Sequence, residues 1–201
     1  MKPSLFTFDI FGTVLDWRAG LGAEDFDRIV DVQGELESGR FRSYAEIVAE
    51  SLVRVRRLDA VSAARFGAEA GTWPLFPDSA EALRRLRRVA PCAAITNSDR
   101  AHGEQVQGQL GFRLDGWICA EEVRAYKPDP RMWEAASRKM AVPFGRGWWH
   151  VSAYADYDLR TARAAGLTCV FVHRPHSRPG EADLVVPDLA ALADRVSFGR
   201  V

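Results

Sequence analysis

Five short apolar runs punctuate the chain: SLFTFDI (4–10), CAAIT (92–96), GWICA (116–120), WWHVSA (148–153) and TCVFVH (168–173). Near-continuous runs of this length suit strands buried on both faces. Between most of them, apolar positions recur at helical spacing, as in SAEALRRLRRV, DPRMWEAASRKM and LRTARAAG. Strand and helix in alternation predict an α/β fold, a Rossmann-like and mostly parallel sheet covered by helices. In such sheets ligands gather beyond the carboxyl ends of the strands.

Residues 17–76 break the alternation. They contain no convincing strand run but three amphipathic segments, 22–37, 43–58 and 60–71, and in the second of these Ile47, Val48, Leu52 and Val55 fall at helical spacing. The pattern predicts a core of residues 1–16 and 77–201 carrying an inserted α-helical cap, 17–76, closed by the Pro- and Gly-containing stretch GTWPLFPDS. Asp78 or Ser79 is expected to cap the helix that resumes the core. HRPHSRPGEAD (173–183) reads as a surface loop.

Composition narrows the function. Lys+Arg and Asp+Glu both number 27 in 201 residues, so no net field favours nucleic acid or an anionic membrane, and a small molecule is the expected partner. The apolar start is interrupted at Asp9, too early for a secretion signal or an anchor, and no later run reaches the roughly 18 apolar residues of a membrane span. Cys92, Cys119 and Cys169 are scattered through apolar runs, as expected of buried thiols in a reducing cytoplasm.

Against this background one carboxylate stands out. Asp9 ends an apolar run in FDIFGTVLDW, and a buried strand has little use for an unpaired charge at its tip. Three other polar groups occupy comparable positions: Thr96-Asn97 after CAAI, Lys127 in RAYKPDP, and Ser152, Asp156 and Asp158 in HVSAYADYD. A parallel sheet brings such ends together, so residues distant in sequence are expected to share one cleft.

The stretches FDIFGTVLD, ITNSD, VRAYKPDP and HVSAYADYDLRTARAAGL, in that order, resemble the haloacid dehalogenase (HAD) superfamily. Phe11, the wording VRAYKPDPR and the placement of the cap are most similar to the type II 2-haloacid dehalogenases. The resemblance implies that Asp9 attacks the carbon bearing the halogen, releasing halide and forming an ester that water then cleaves to a 2-hydroxy acid. It casts Lys127 as the cation that keeps Asp9 ionised, and Asp158 as the support of Lys127 that orients or deprotonates the water. Thr96 and Asn97 become holders of the substrate carboxylate or the Asp9 oxygens, and Thr13 and Ser152 further hydrogen-bonding partners. Family phosphatases carry a second acid two positions after the nucleophile; Phe11 cannot donate a proton, which suits a departing halide.

The same resemblance implies a cap arginine that meets the substrate, with Arg18, Arg40 and Arg42 as candidates and Arg18 first. It also suggests substrate contacts from Tyr154, and an apolar wall from Trp17 and Trp133. Three positions depart from the family pattern: Thr96 stands where serine is usual, Trp133 where tyrosine is usual, and Ala153-Tyr154 where an asparagine is usual. No cofactor is expected. Under the alternative of a phosphatase working through an aspartyl-phosphate, Mg²⁺ would draw on Asp9, the Phe11 carbonyl and Asp156 or Asp158. A catalytically idle HAD-fold binding protein is the other alternative. Related caps often take part in dimers, so a homodimer is a further expectation. His150 and His173, in apolar strands, read as satisfied core or rim histidines.

Overall fold

The computed structural model describes residues 2–197 and 199. The five expected strands form as β1 (Leu5–Phe8), β2 (Cys92–Thr96), β3 (Gly116–Cys119), β4 (Trp148–Ser152) and β5 (Thr168–Val172), and a sixth, β6 (Leu184–Val186), extends the sheet beyond the expected loop. Every pairing is parallel, in the order β3-β2-β1-β4-β5-β6. The chain builds outward from β1 first to one side and then to the other. The order therefore reverses between β1 and β4, where Phe8 pairs with Val151, and a crevice opens at such a point.

The ten helices are α1 (Trp17–Leu21), α2 (Phe26–Glu37), α3 (Tyr44–Arg56), α4 (Ala60–Ala68), α5 (Ser79–Arg87), α6 (Arg100–Leu110), α7 (Ala120–Val123), α8 (Arg131–Met140), α9 (Arg160–Ala164) and α10 (Leu189–Ser197), counted among the described residues. Alternate strand residues supply two cores. Phe6, Phe8, Trp149, Val151 and Val170 join Leu83 and Leu86 of α5, Val106 of α6 and Leu189 and Leu192 of α10. Leu5, Ile95, Trp148, Cys169 and Phe171 face the other way, onto Met132, Trp133 and Ala136 of α8 and Ala162 of α9. Each such large apolar side chain contributes about 1.5–3 kcal/mol on burial. The three cysteines are buried and free.

Helices α1 to α4 occupy the stretch after β1. α2 starts later than the sequence pattern suggests, because Gly22 at φ 83° and Asp25 at φ 57° interrupt helical geometry first. α3 begins with a capping box in which Ser43 accepts from the Glu46 amide and the Glu46 carboxylate accepts from the Ser43 amide. Its first amides are also held from outside: Tyr44 and Ala45 donate to the Asp99 carboxylate at 2.9 and 2.8 Å. α4, capped by Asp59, folds back along α3; a Cβ on Gly67 would lie 2.2 Å from the Ala45 carbonyl oxygen, so only glycine allows this approach.

The expected cap of α5 is not made. The Asp78 carboxylate turns instead to Arg174, at 3.0 and 3.1 Å, and accepts from the amide of Leu189, the first residue of α10. The Ser79 hydroxyl donates to the Val14 carbonyl at 2.7 Å. Both side chains thus join α5 to distant segments. No helix among the described residues is long and apolar enough to cross a membrane.

Candidate active site

Asp9 follows β1 directly, and its amide makes the last sheet bond, to the Val151 carbonyl at 3.0 Å. The chain then turns at Gly12, φ 90°, where a Cβ would lie 2.3 Å from the Tyr154 hydroxyl. This tight corner brings Thr13 back to donate its hydroxyl to Asp9 Oδ2 at 2.7 Å, and the same Thr13 oxygen accepts from the Ala153 amide at 2.9 Å. Lys127 Nζ reaches Asp9 Oδ1 at 2.7 Å and Asp158 Oδ2 at 2.7 Å. All three charged side chains are buried. Asp158 is delivered by a π-helical turn, Ala155–Leu159, that follows β4.

A chain of hydrogen bonds continues behind Asp158 on the α8 side of the sheet. His150 Nε2 lies 2.9 Å from Asp158 Oδ1, His150 Nδ1 lies 2.8 Å from the Thr7 hydroxyl, and Trp148 Nε1 donates to that hydroxyl at 2.7 Å. An indole nitrogen only donates, so the Thr7 proton is free for His150 Nδ1, which leaves His150 to donate from Nε2 to Asp158. His150 is thus satisfied, as expected of a core histidine, but its partner belongs to the site. Its place inside an apolar run concealed this.

One ammonium serves two carboxylates, and the share is unequal. Burial opposes ionisation of Asp158, yet Lys127 and His150 overcome it and hold the carboxyl well below the usual range. For Asp9 burial wins: its carboxyl is raised in spite of Lys127 and Thr13, with the Asp158 charge adding to the rise. Burial would also lower Lys127, but Asp158 and Asp9 outweigh it and keep the ammonium charged. Asp158 thus competes with Asp9 for the cation that is expected to keep Asp9 ionised.

In front of Asp9 opens a cavity of about 700 Å³, lined by Phe11, Trp17, Tyr44, Asn97, Tyr154 and Tyr157 among others. Phe11 stands edge-on to Tyr44 and Trp73 at 5.2 and 5.9 Å. Asn97 Oδ1 accepts from the Lys127 amide at 2.6 Å while its Nδ2 donates to the Lys127 carbonyl and to Glu37 Oε2, at 3.3 and 3.2 Å. Asn97 thereby clamps the backbone that carries Lys127. The Thr96 hydroxyl donates to Ser98 at 3.2 Å, and Ser152 accepts from the Tyr154 amide at 3.1 Å. Both are buried and absent from the cavity wall.

Several expected substrate contacts lie elsewhere. Trp133 sits on the buried face of α8 and packs on the His150 ring at 5.6 Å, behind the sheet rather than in the cleft, because the phase of α8 turns its apolar face inward. Arg18 is exposed on α1, with its guanidinium 5.9 Å from the Phe26 ring; Arg40 is also exposed, and Arg42 lies 3.9 Å from Glu50. None of these three lines the cavity. The arginines that do are Arg124, stacked 4.2 Å over Phe41, Arg131, paired with Asp129, and Arg178, from the expected surface loop. That loop folds back because Arg178 accepts from the Ala155 amide and donates to the Ala153 carbonyl, just beyond β4. Glu37, at the end of α2, also lines the cavity, a role that nothing in its sequence context signals.

Magnesium requires several hard oxygen ligands. Both Asp158 oxygens are taken, by Lys127 and His150, and Asp156 points away to Arg178 at 3.6 Å. Asp9 and the Phe11 carbonyl alone do not make such a set, so the residues present do not fit the ion.

Fold and site together define a class: a doubly wound α/β protein whose carboxyl edge holds a lysine-bridged pair of aspartates beneath a helical segment. The chain belongs to the haloacid dehalogenase-like hydrolases, whose family model matches residues 3–166. An (S)-2-haloacid dehalogenase of Pseudomonas fluorescens is 29% identical over 126 residues, 59% of this chain and 55% of that protein. The (S)-2-haloacid dehalogenase H-109 of Pseudomonas putida is 35% identical over 101 residues, 49% of this chain and 44% of that protein. These matches therefore span only about half the length of the curated relatives. A crystal structure of an L-2-haloacid dehalogenase superposes with a TM-score of 0.85, covering 98% of this chain and 99% of that one at 24% identity, which speaks for the fold.

Proposed function

We propose that the protein is a hydrolase that removes halide from a small (S)-2-haloalkanoic acid through an ester on Asp9, without a metal. The observation that carries this reading is the placing of Asp9, held at both oxygens by Lys127 and Thr13, at the floor of a cavity in which Phe11 occupies the position two residues on. A carboxylate fixed in this way is oriented for attack on carbon, and a halide leaves without a proton. Residues 17–76 act as the cap over a core of residues 1–16 and 77–201. Lys127 orients Asp9; Asp158, Thr13 and Asn97 hold Lys127 and Asp9 in place; Thr96 and Ser152 support the strand ends from behind the cavity; and Phe11, Trp17 and Tyr154 form the wall around the substrate. Relatives named as (S)-2-haloacid dehalogenases support the substrate class.

Halide release from (S)-2-chloropropionate, set against phosphate release from an aryl phosphate with and without EDTA, tests the proposal. Phosphate release lost on EDTA treatment, with no halide, would establish the phosphatase instead. In a single turnover in ¹⁸O-water the label is expected in the Asp9 peptide before any appears in product.

A further inference from the structure

The half-reaction that frees halide needs no acid, but the one that follows does. When water adds to Cγ of an Asp9 ester and the adduct collapses, the bond between Cγ and the alkyl oxygen breaks and its electron pair stays on that oxygen. The fragment expelled is the alkoxide of a 2-hydroxy acid, a strong base. Asp158 is a poor base for that water, since both of its oxygens are bound and Lys127 and His150 already stabilise its charge. A weak base on the water makes protonation of the departing oxygen the more important half of the step. Phe11 cannot provide that proton.

Glu37 can. It ends α2 on the wall of the same cavity as Asp9, half-buried, with Asn97 Nδ2 donating to its Oε2 at 3.2 Å. Asn97 is the only hydrogen-bond partner of this carboxyl among the described residues, which leaves Oε1 without one. The groups facing the carboxyl are Lys127 and Tyr126 from the segment before α8, Tyr44 from α3, Tyr157 after β4, and Asp9 on the cavity floor. The tyrosines are raised by burial and hold their protons. Lys127 is committed to two carboxylates. Burial pushes Glu37 up to about 8, against the pull of Asn97 and Lys127, so near neutral pH it carries a proton of usable acidity.

We propose that Glu37 is the general acid of the second half-reaction, giving its proton to the alkyl oxygen of the Asp9 ester as that bond breaks. This rests on the dehalogenase reading above. The Glu37 proton goes to the product hydroxyl, both protons of the water leave to solvent as the Asp9 carboxylate re-forms, and one proton from solvent restores Glu37. Glu37 is thereby a catalytic residue that its position on a helix end does not announce.

Rapid-mix halide release from (S)-2-chloropropionate by the full chain, with mass spectrometry of the Asp9 peptide, tests the assignment on Glu37→Gln and Glu37→Asp. Glu37→Gln is expected to release one halide per site at the unmodified rate, then turn over about 10²-fold more slowly or worse, with the propionate ester accumulating on Asp9. Glu37→Asp, which keeps an acid, is expected to recover part of the steady rate. In the unmodified protein kcat is expected to decline above about pH 8, and in Glu37→Gln that decline disappears. A halide burst with unslowed turnover in Glu37→Gln overturns the role of Glu37 alone, as does loss of the burst itself in both variants. Absence of halide release from the unmodified protein overturns the dehalogenase reading.

Discussion

His150 and Asp158 meet at 2.9 Å with neither side chain reachable by solvent. The contact makes the strand interior part of the site, since the carboxylate that anchors Lys127 is itself anchored by a histidine from β4. His150→Phe keeps bulk but leaves Asp158 Oδ1 and the Thr7 hydroxyl without this partner. It is expected to cost about 1–3 kcal/mol in urea unfolding, and to lower kcat through misplacement of Lys127.

The Lys127 ammonium bridges Asp9 and Asp158. Lys127→Met is expected to abolish turnover and to destabilise the fold by about 3–5 kcal/mol at neutral pH, as removal of one member of a buried ion pair does. The dependence on pH between 5 and 7 should also change. In the unmodified protein the depressed Asp158 contributes stability that is present above its unfolded value and lost as pH falls through its folded one. Without the lysine the buried carboxylates prefer to be protonated, so the variant gains stability as pH is lowered from 7 toward 5. Thermal melts at several pH values would show no such gain if the two aspartates were not coupled through Lys127.

Asp9 must be ionised to attack, and burial raises its carboxyl above the usual aspartate value of about 3.9. The acid limb of kcat/KM is therefore expected above that value. Thr13→Val removes the hydroxyl that donates to Asp9 Oδ2 and helps its charged form, so the limb should move to higher pH. A pH-rate profile unchanged by Thr13→Val would contradict this account of Asp9.

Asp99 caps α3 from outside, through Tyr44 and Ala45. Asp99→Ala is expected to cost about 0.5–2 kcal/mol, the range for a lost helix cap. Hydrogen exchange at the Tyr44 and Ala45 amides should quicken while amides in β1 and β4 stay protected. Uniform loss of protection would mean that α3 unfolds only with the whole chain.

Strands β1 to β5, the alternation with α5, α8 and α9, and the helical character of residues 17–76 are legible in the order of residues alone. Burial writes these into local periodicity: a strand covered on both faces must be apolar throughout, and a helix on a core must repeat every three to four residues. Asp9 was legible for the related reason that a charge ending an apolar strand needs a partner. β6 was not, because three edge residues carry too little pattern. Which side chains meet depends on how the elements pack. Trp133 faces His150 through the phase of α8, Arg18 and Arg42 lie outside a cavity that Arg124 and Arg178 line, and Asp78 holds Leu189 across more than a hundred residues. Glu37 and His150 carry the same lesson: the first resembles any acidic residue at a helix end and the second any strand histidine, and docking of distant elements alone gives them Asn97 and Asp158 as partners. Such pairings depend on how finished elements are set against each other, and no local spacing encodes that.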